Sequence, residues 1–183
     1  MNSQESMADL DAIRFYGKYR GLVVNNIDPE QIARVMVQVP DVLGETFSSW
    51  AMPCVPVAGF LAGCYMVPPL GSQVWVEFEQ GDPDYPIWAG GFWGTSAEIP
   101  GANAGPPGIP REQNIVLQTI GQNMIAASDA PPTEQGGGIV LRSTTGATIV
   151  VNDSGIYIDN GKGATISMVG TTVAINGTAL TVT

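Results

Sequence analysis

The chain has 183 residues, of which 44% are apolar, 23 are glycine and 14 are proline. So many apolar residues exclude a disordered polypeptide, and the Gly and Pro content suits many short strands joined by tight turns. The net charge is −10 with only seven Lys and Arg, which excludes the basic footprint that nucleic acid or an anionic membrane attracts; solubility is its plainest consequence. There is no histidine, so the commonest general base, the commonest transition-metal ligand and every Ser-His or Cys-His pair are missing.

In chain order, residues 1–13 read as a polar arm. Their opening, MNSQESMADLDA, lacks the basic and apolar regions of a signal peptide. No later window is apolar for long enough to span a membrane as a helix. The ordered part is expected to open over 14–24, RFYGKYRGLVV. In ARVMVQVP, Val35, Val37 and Val39 alternate with Arg34, Met36 and Gln38, the period of a half-buried strand, and Pro40 ends it. The following apolar stretch, WAMPCVPVAGFLAGCYMVPPLG, is broken by Pro53, Pro56, Pro68 and Pro69, which forbid a long helix and leave irregular strand and loop. Its two cysteines, Cys54 and Cys64, are expected as buried free thiols, with a disulfide closing a short loop as the alternative.

GSQVWVEFEQGDPDYPIWAGGFWG, residues 71–94, reads as a hairpin. Val74, Val76 and Phe78 share one face of its first strand, and Ile87 to Phe92 forms the second. The turn between them gathers Glu77, Glu79, Asp82 and Asp84. Pro83 fixes φ there, and Asp82 and Asp84 can accept backbone N–H bonds, so the expectation is a turn; a Ca²⁺ site is the alternative. Trp75, Trp88 and Trp93 are expected in the core or against neighbouring subunits, with a stacking platform as the alternative. So many short strands in so short a span predict a small closed barrel, because closure removes exposed edges.

TSAEIPGANAGPPGIPRE, with four prolines and three glycines, reads as an extended linker. Beyond it, residues 136–183 repeat a short strand and a turn roughly every eight or nine residues, the mark of a stacked β architecture. The apolar pairs are Ile139/Leu141, Ile149/Val151, Ile156/Ile158, Ile166/Met168, Val173/Ile175 and Leu180/Val182, and the turns fall at words such as Thr145-Gly146, Asn160-Gly161 and Asn176-Gly177. Residues 111–129 look like a worn earlier copy, with Gly121 at its turn. One such meander cannot cover its own apolar stripe. Three copies around a common axis can, each supplying one wall of a triangular prism; the alternative is a single-chain parallel β-helix. Tyr157, one residue off the stripe, is predicted to face outward. The glycines at 136–138 are not a phosphate loop, since no Lys-Ser/Thr follows and no helix starts there.

RVMVQVPDVLG, SSWAMPCVPVAG and YMVPPLGSQVWVEFEQGDPDYPIWAGGFWG resemble the OB-fold domain of contractile-tail spike proteins. These are the phage baseplate assembly protein V and central spike family, with relatives in type VI secretion and extracellular injection systems. GATIVVNDSGIYIDNGKGATISMVG, followed by INGTALTV, is similar to the β-prism stalk of the same family. The resemblance implies an all-β chain: an arm over 1–13, an OB-fold barrel over 14–95, a linker over 96–112 and a trimeric β-prism or triple-stranded β-helix over 113–183. It implies a homotrimer that pierces a target envelope, with a baseplate hub protein at the OB end. Assembly would occur in the bacterial cytoplasm, and the product would be a component of a virion baseplate or injection particle. The blunt end at Thr183 implies a separate tip protein. With no histidine, the iron-binding apex of some relatives cannot form, so no metal or cofactor is expected. With no room for a muramidase insert, no catalytic residue is expected either. Nucleic acid is not expected as a partner, and the envelope would be touched only mechanically. The competing readings are an OB module binding carbohydrate or a single strand, and a carboxylate-based hydrolase.

Overall fold

The computed structural model describes residues 13–100, 114–133, 136–177 and 179–182. The chain divides into two compact units between Gly94 and Thr95. In the first, β1 (Tyr19–Asn25), β2 (Met36–Gln38), β3 (Met52–Pro53), β6 (Gln73–Phe78) and β7 (Pro86–Phe92) form one sheet in the order β2-β1-β6-β7-β3. Neighbours are antiparallel except β3 and β7, which run parallel. The sheet closes on itself just before β2 and β3. Val35 N–H donates to the Ala51 carbonyl at 3.2 Å, and Ala51 N–H donates back to the Val35 carbonyl at 2.8 Å. Between β2 and β3, α1 (Pro40–Leu43) is a single turn with Pro40 at its start, where the missing N–H costs nothing.

The barrel interior follows from the period-2 pattern. Val35, Val37, Val39, Val74 and Val76 are wholly buried, and Val23, Ala51, Phe78 and Trp88 complete the cluster. Trp88 also needs a partner for its indole N–H, and it donates to the Ala33 carbonyl at 3.0 Å. The proline-broken stretch forms no long element. It yields β3 and a small hairpin of β4 (Ala58–Gly59) and β5 (Ala62–Gly63). Here the expectation of buried thiols fails: Cys54 and Cys64 are free but exposed. An apolar string was read as core, yet Val57 to Met66 is exposed throughout, outside the barrel's cluster.

The polar arm lies outside the described residues except for Ile13, and so does most of the linker. The linker's described start is not extended. Ser96–Glu98 forms a 3-10 turn, closed by Glu98 N–H on the Thr95 carbonyl at 3.2 Å.

The second unit is one antiparallel sheet whose strands follow chain order: β8 (Asn114–Gln118), β9 (Met124–Thr133), β10 (Gly136–Arg142), β11 (Thr148–Asn152), β12 (Gly155–Asp159), β13 (Thr165–Val169), β14 (Thr172–Ile175) and β15 (Leu180–Val182). An antiparallel meander rules out the single-chain parallel β-helix. The turn words work through their side chains. Asn152 Oδ1 accepts the N–H groups of Ser154 and Gly155, and Asn160 Oδ1 accepts those of Lys162 and Ala164. The glycine run has a steric role. The β9–β10 register shifts between Gly136 and Gly138, and a Cβ on Gly138, whose φ is +125°, would strike the Val151 carbonyl.

This unit has a small core of its own: Met124, Ala126, Val140 and Val150, with Val116 and Tyr157 packed against it. Tyr157 is therefore half-buried rather than fully outward, because the face opposite the stripe buries a row of its own. In the barrel, Trp88→Phe removes the indole N–H that donates to the Ala33 carbonyl. We expect a loss of about 1–3 kcal/mol in chemical denaturation followed by circular dichroism. A loss near zero would show that this carbonyl finds another partner.

Candidate functional site

The strand register builds one continuous apolar feature along the second unit. On one face of the stalk sheet, directly opposed residues form a continuous ladder: Leu117, Ile125, Leu141, Ile149, Ile158, Ile166, Ile175 and Leu180. A second ladder runs beside it on the same face: Ile115, Ala127, Ile139, Val151, Ile156, Met168, Val173 and Val182. Alternation puts the row between them on the opposite face: Val116, Ala126, Val140, Val150, Tyr157, Ser167 and Ala174. All twelve stripe residues read from the sequence thus lie on one face. Ile115, Leu117, Ile125 and Ala127 extend it and were missed. They sit in the worn copy, where the alternation of Ile115, Val116 and Leu117 was the available signal.

In the single chain these ladders are not covered. Among the stripe residues, Ile139, Leu141, Ile149, Val151, Ile166, Ile175, Leu180 and Val182 are between 36% and 58% exposed, while Ile156, Ile158, Met168 and Val173 are half-buried. Every ladder position is uncharged. Asp159, next to Ile158 along β12, falls on the opposite face by alternation, as does Arg142 next to Leu141. The middle row shrinks along the chain, from Val140 and Val150 to Ser167 and Ala174. The sheet's own core therefore lies at its β8–β11 end.

Of the carboxylates around the β6–β7 turn, those of Glu77 and Asp82 are engaged, and by different partners. Arg14 pairs with Asp82 Oδ2 at 2.9 Å, Lys18 with Glu77 at 2.7 Å, and Asp82 Oδ1 accepts the Asp84 N–H. Phe15 N–H donates to the Gly81 carbonyl at 2.8 Å, and the rings of Phe15 and Tyr19 pack on Phe78. The turn seats the segment leading into β1. Among the described residues no group of three or more His, Cys, Asp or Glu is placed to hold a metal ion. Of the tryptophans in that hairpin, Trp88 is core and Trp93 is exposed. Trp75 stacks on Phe92 at 4.6 Å, with the Arg20 guanidinium over both rings.

Sequence reasoning also missed the barrel's buried ion pair. Asp28 Oδ1 accepts from Arg34 Nε at 3.1 Å and from its terminal nitrogen at 2.7 Å, and the carboxylate accepts the N–H groups of Glu30, Ile32 and Arg34. Arg34 alternates to the barrel's outside and folds back over the Asp28–Ala33 loop, with its guanidinium also over Trp50. Its hydrogen bonds hold the Asp28 carboxyl well below the usual carboxylate range against the opposing effect of burial, and the backbone donors add to the shift.

A small closed barrel followed by a meander with an uncharged double ladder defines a β-protein built to associate through its stalk. Residues 19–93 match the model of the type VI secretion system and phage-baseplate injector OB domain. Residues 114–181 match the model of the phage baseplate V C-terminal trimerisation domain. No curated protein matches the chain. The chain belongs to the phage baseplate V spike family, as a baseplate component with an OB domain and a trimerisation stalk. Among the described residues no helix is long and apolar enough to cross a membrane.

The lowered pKa of Asp28 sets an acid limit on barrel stability. A depressed carboxyl contributes fully above its unfolded value of about 3.9, and the contribution drains as pH falls below it towards the folded value. Asp28→Asn should therefore melt earlier than the parent at neutral pH, and the gap should narrow as pH falls below about 4. Calorimetry across that range checks it, and a gap independent of pH contradicts the assignment.

Proposed function

We propose that three copies of the chain pack their double ladders onto a common axis. The result is a rigid homotrimeric central spike, which sheath contraction drives through a target envelope. The observation that carries this reading is the pair of unbroken, uncharged ladders left exposed along the stalk of one chain. Burying one Ile, Val or Leu side chain contributes about 1.5–3 kcal/mol, so a whole face of them is a strong drive to associate. The match to a trimerisation domain supports a three-fold arrangement.

The mechanism is mechanical. Thrust passes through the β hydrogen bonding and a dry apolar core, and no reactive group takes part. In this proposal the OB barrels meet a baseplate hub protein, the far end of the stalk presents a separate tip protein, and the spike is assembled in the bacterial cytoplasm before entering the particle. Enzymatic activity and nucleic-acid binding have no part in it. The acidic chain and the Arg20 cover on the Trp75–Phe92 pair support that exclusion.

Position 158 tests the reading. A carboxylate at Ile158 enters the dry axis once per chain, where unpaired charge is very costly. Ile158→Asp should abolish the trimer or severely weaken it by light scattering. Its neighbour already carries a carboxylate on the opposite face, so Asp159→Asn should leave assembly unchanged; the amide oxygen can still accept the Gly161 N–H that Asp159 Oδ1 accepts. Unimpaired assembly of Ile158→Asp would exclude the ladders from the axis.

A further inference from the structure

The ladders are not the only apolar surface left uncovered. Phe60 and Leu61, at the tip of the β4–β5 hairpin, are 94% and 92% exposed, the most exposed large apolar side chains among the described residues. Val57, Tyr65 and Met66 on its flanks are more than half exposed as well. No Asp, Glu, Lys or Arg occurs between Glu45 and Glu77. An uncharged apolar knob thus stands on the barrel of a chain whose net charge is −10.

The hairpin is fixed in shape. Ala58 pairs with Gly63 and Gly59 with Ala62, and Cys64 N–H donates to the Val57 carbonyl at 2.9 Å. Gly63 is required there, since a Cβ would lie 2.7 Å from the Val57 carbonyl oxygen. Leu61 has φ +54°, a left-handed backbone that Gly or Asn adopts with less strain. A lone barrel gains nothing from a leucine at that position. It is strained in the backbone and it exposes apolar surface.

We infer that the Phe60–Leu61 tips of three copies meet one another, forming a second, barrel-level interface in addition to the stalk. The inference rests on the trimeric reading above. A second copy is the occupant that the observations favour. The trimerisation stalk tethers each barrel to its copies at high effective concentration. Identical surfaces that converge on a three-fold axis must also be free of charge, because any charge would face its own copies. The stretch from Thr46 to Val76 meets that condition in an otherwise acidic chain.

The test uses the full chain with Cys54→Ser, Cys64→Ser and Phe60→Cys. The trimer is first confirmed by mass and then treated at high dilution with a short bis-maleimide. Converging tips give cross-linked pairs within each trimer and leave the third thiol open to a monofunctional maleimide. A confirmed trimer without cross-links overturns the inference while leaving the stalk reading intact; a chain that is not trimeric overturns both. Leu61→Asn supplies a second reading. It suits the turn better but removes the apolar contact, so it should keep the trimer yet lower its thermal dissociation midpoint. An unchanged or raised midpoint counts against the inference. So does co-sedimentation of the parent chain with phosphatidylcholine vesicles that is lost in Phe60→Ser/Leu61→Ser, which would assign the tip to a membrane.

Discussion

A sheet of short strands has two faces, and among the described residues of the stalk only part of one is buried. In the stalk the middle row, centred on Val140 and Val150, is buried within the chain. The two ladders on the other face have no cover. Among the described residues the strands of this sheet follow one another in chain order, and none of them doubles back across that face. In the proposed trimer, that geometric constraint is what makes the stalk depend on other copies. It also explains why the ladders carry no charge although the chain as a whole is strongly acidic.

The barrel's interior, apart from the exposed β4–β5 hairpin, obeys the opposite rule and completes itself. The reciprocal bonds between Val35 and Ala51 close the sheet, the valine rows fill it, and Trp88 finds a carbonyl for its indole. Its polar features are equally self-contained. Asp28 and Arg34 brace a loop, and the Glu77–Asp84 turn seats the segment that leads into β1. One unit thus fills its core locally, while the other leaves two apolar ladders largely exposed. The proposed spike uses both properties, with its barrels as firm seats and its stalk as a shared shaft.

Much of this was legible in the sequence because period 2 is unambiguous when one face is buried. Val35, Val37 and Val39, Val74, Val76 and Phe78, and the twelve stripe residues all follow from alternation and turn words alone. Four things were not legible. Strand β3 has only two residues and pairs in parallel with β7, so closure of the barrel through Ala51 left no pattern to read. Cys54 and Cys64 sit in an apolar string whose chemistry resembles core, yet the hairpin they flank stands away from it. Tyr157 looked outward because only one face was taken to be buried, whereas Ala126, Val140 and Val150 form a buried row on the other, with Tyr157 packed against it. The Asp28–Arg34 pair is a loop interaction, and no periodic signal marks such a contact.

The central claim is that the ladders lie against copies of themselves, and the solution mass of the unmodified full chain tests it most directly. Measured by native mass spectrometry or light scattering across a wide concentration range, the mass should be three times that of one chain. It should stay there on dilution, since interlocked chains separate slowly. A folded chain that remains a monomer or a dimer at micromolar concentration would contradict the account.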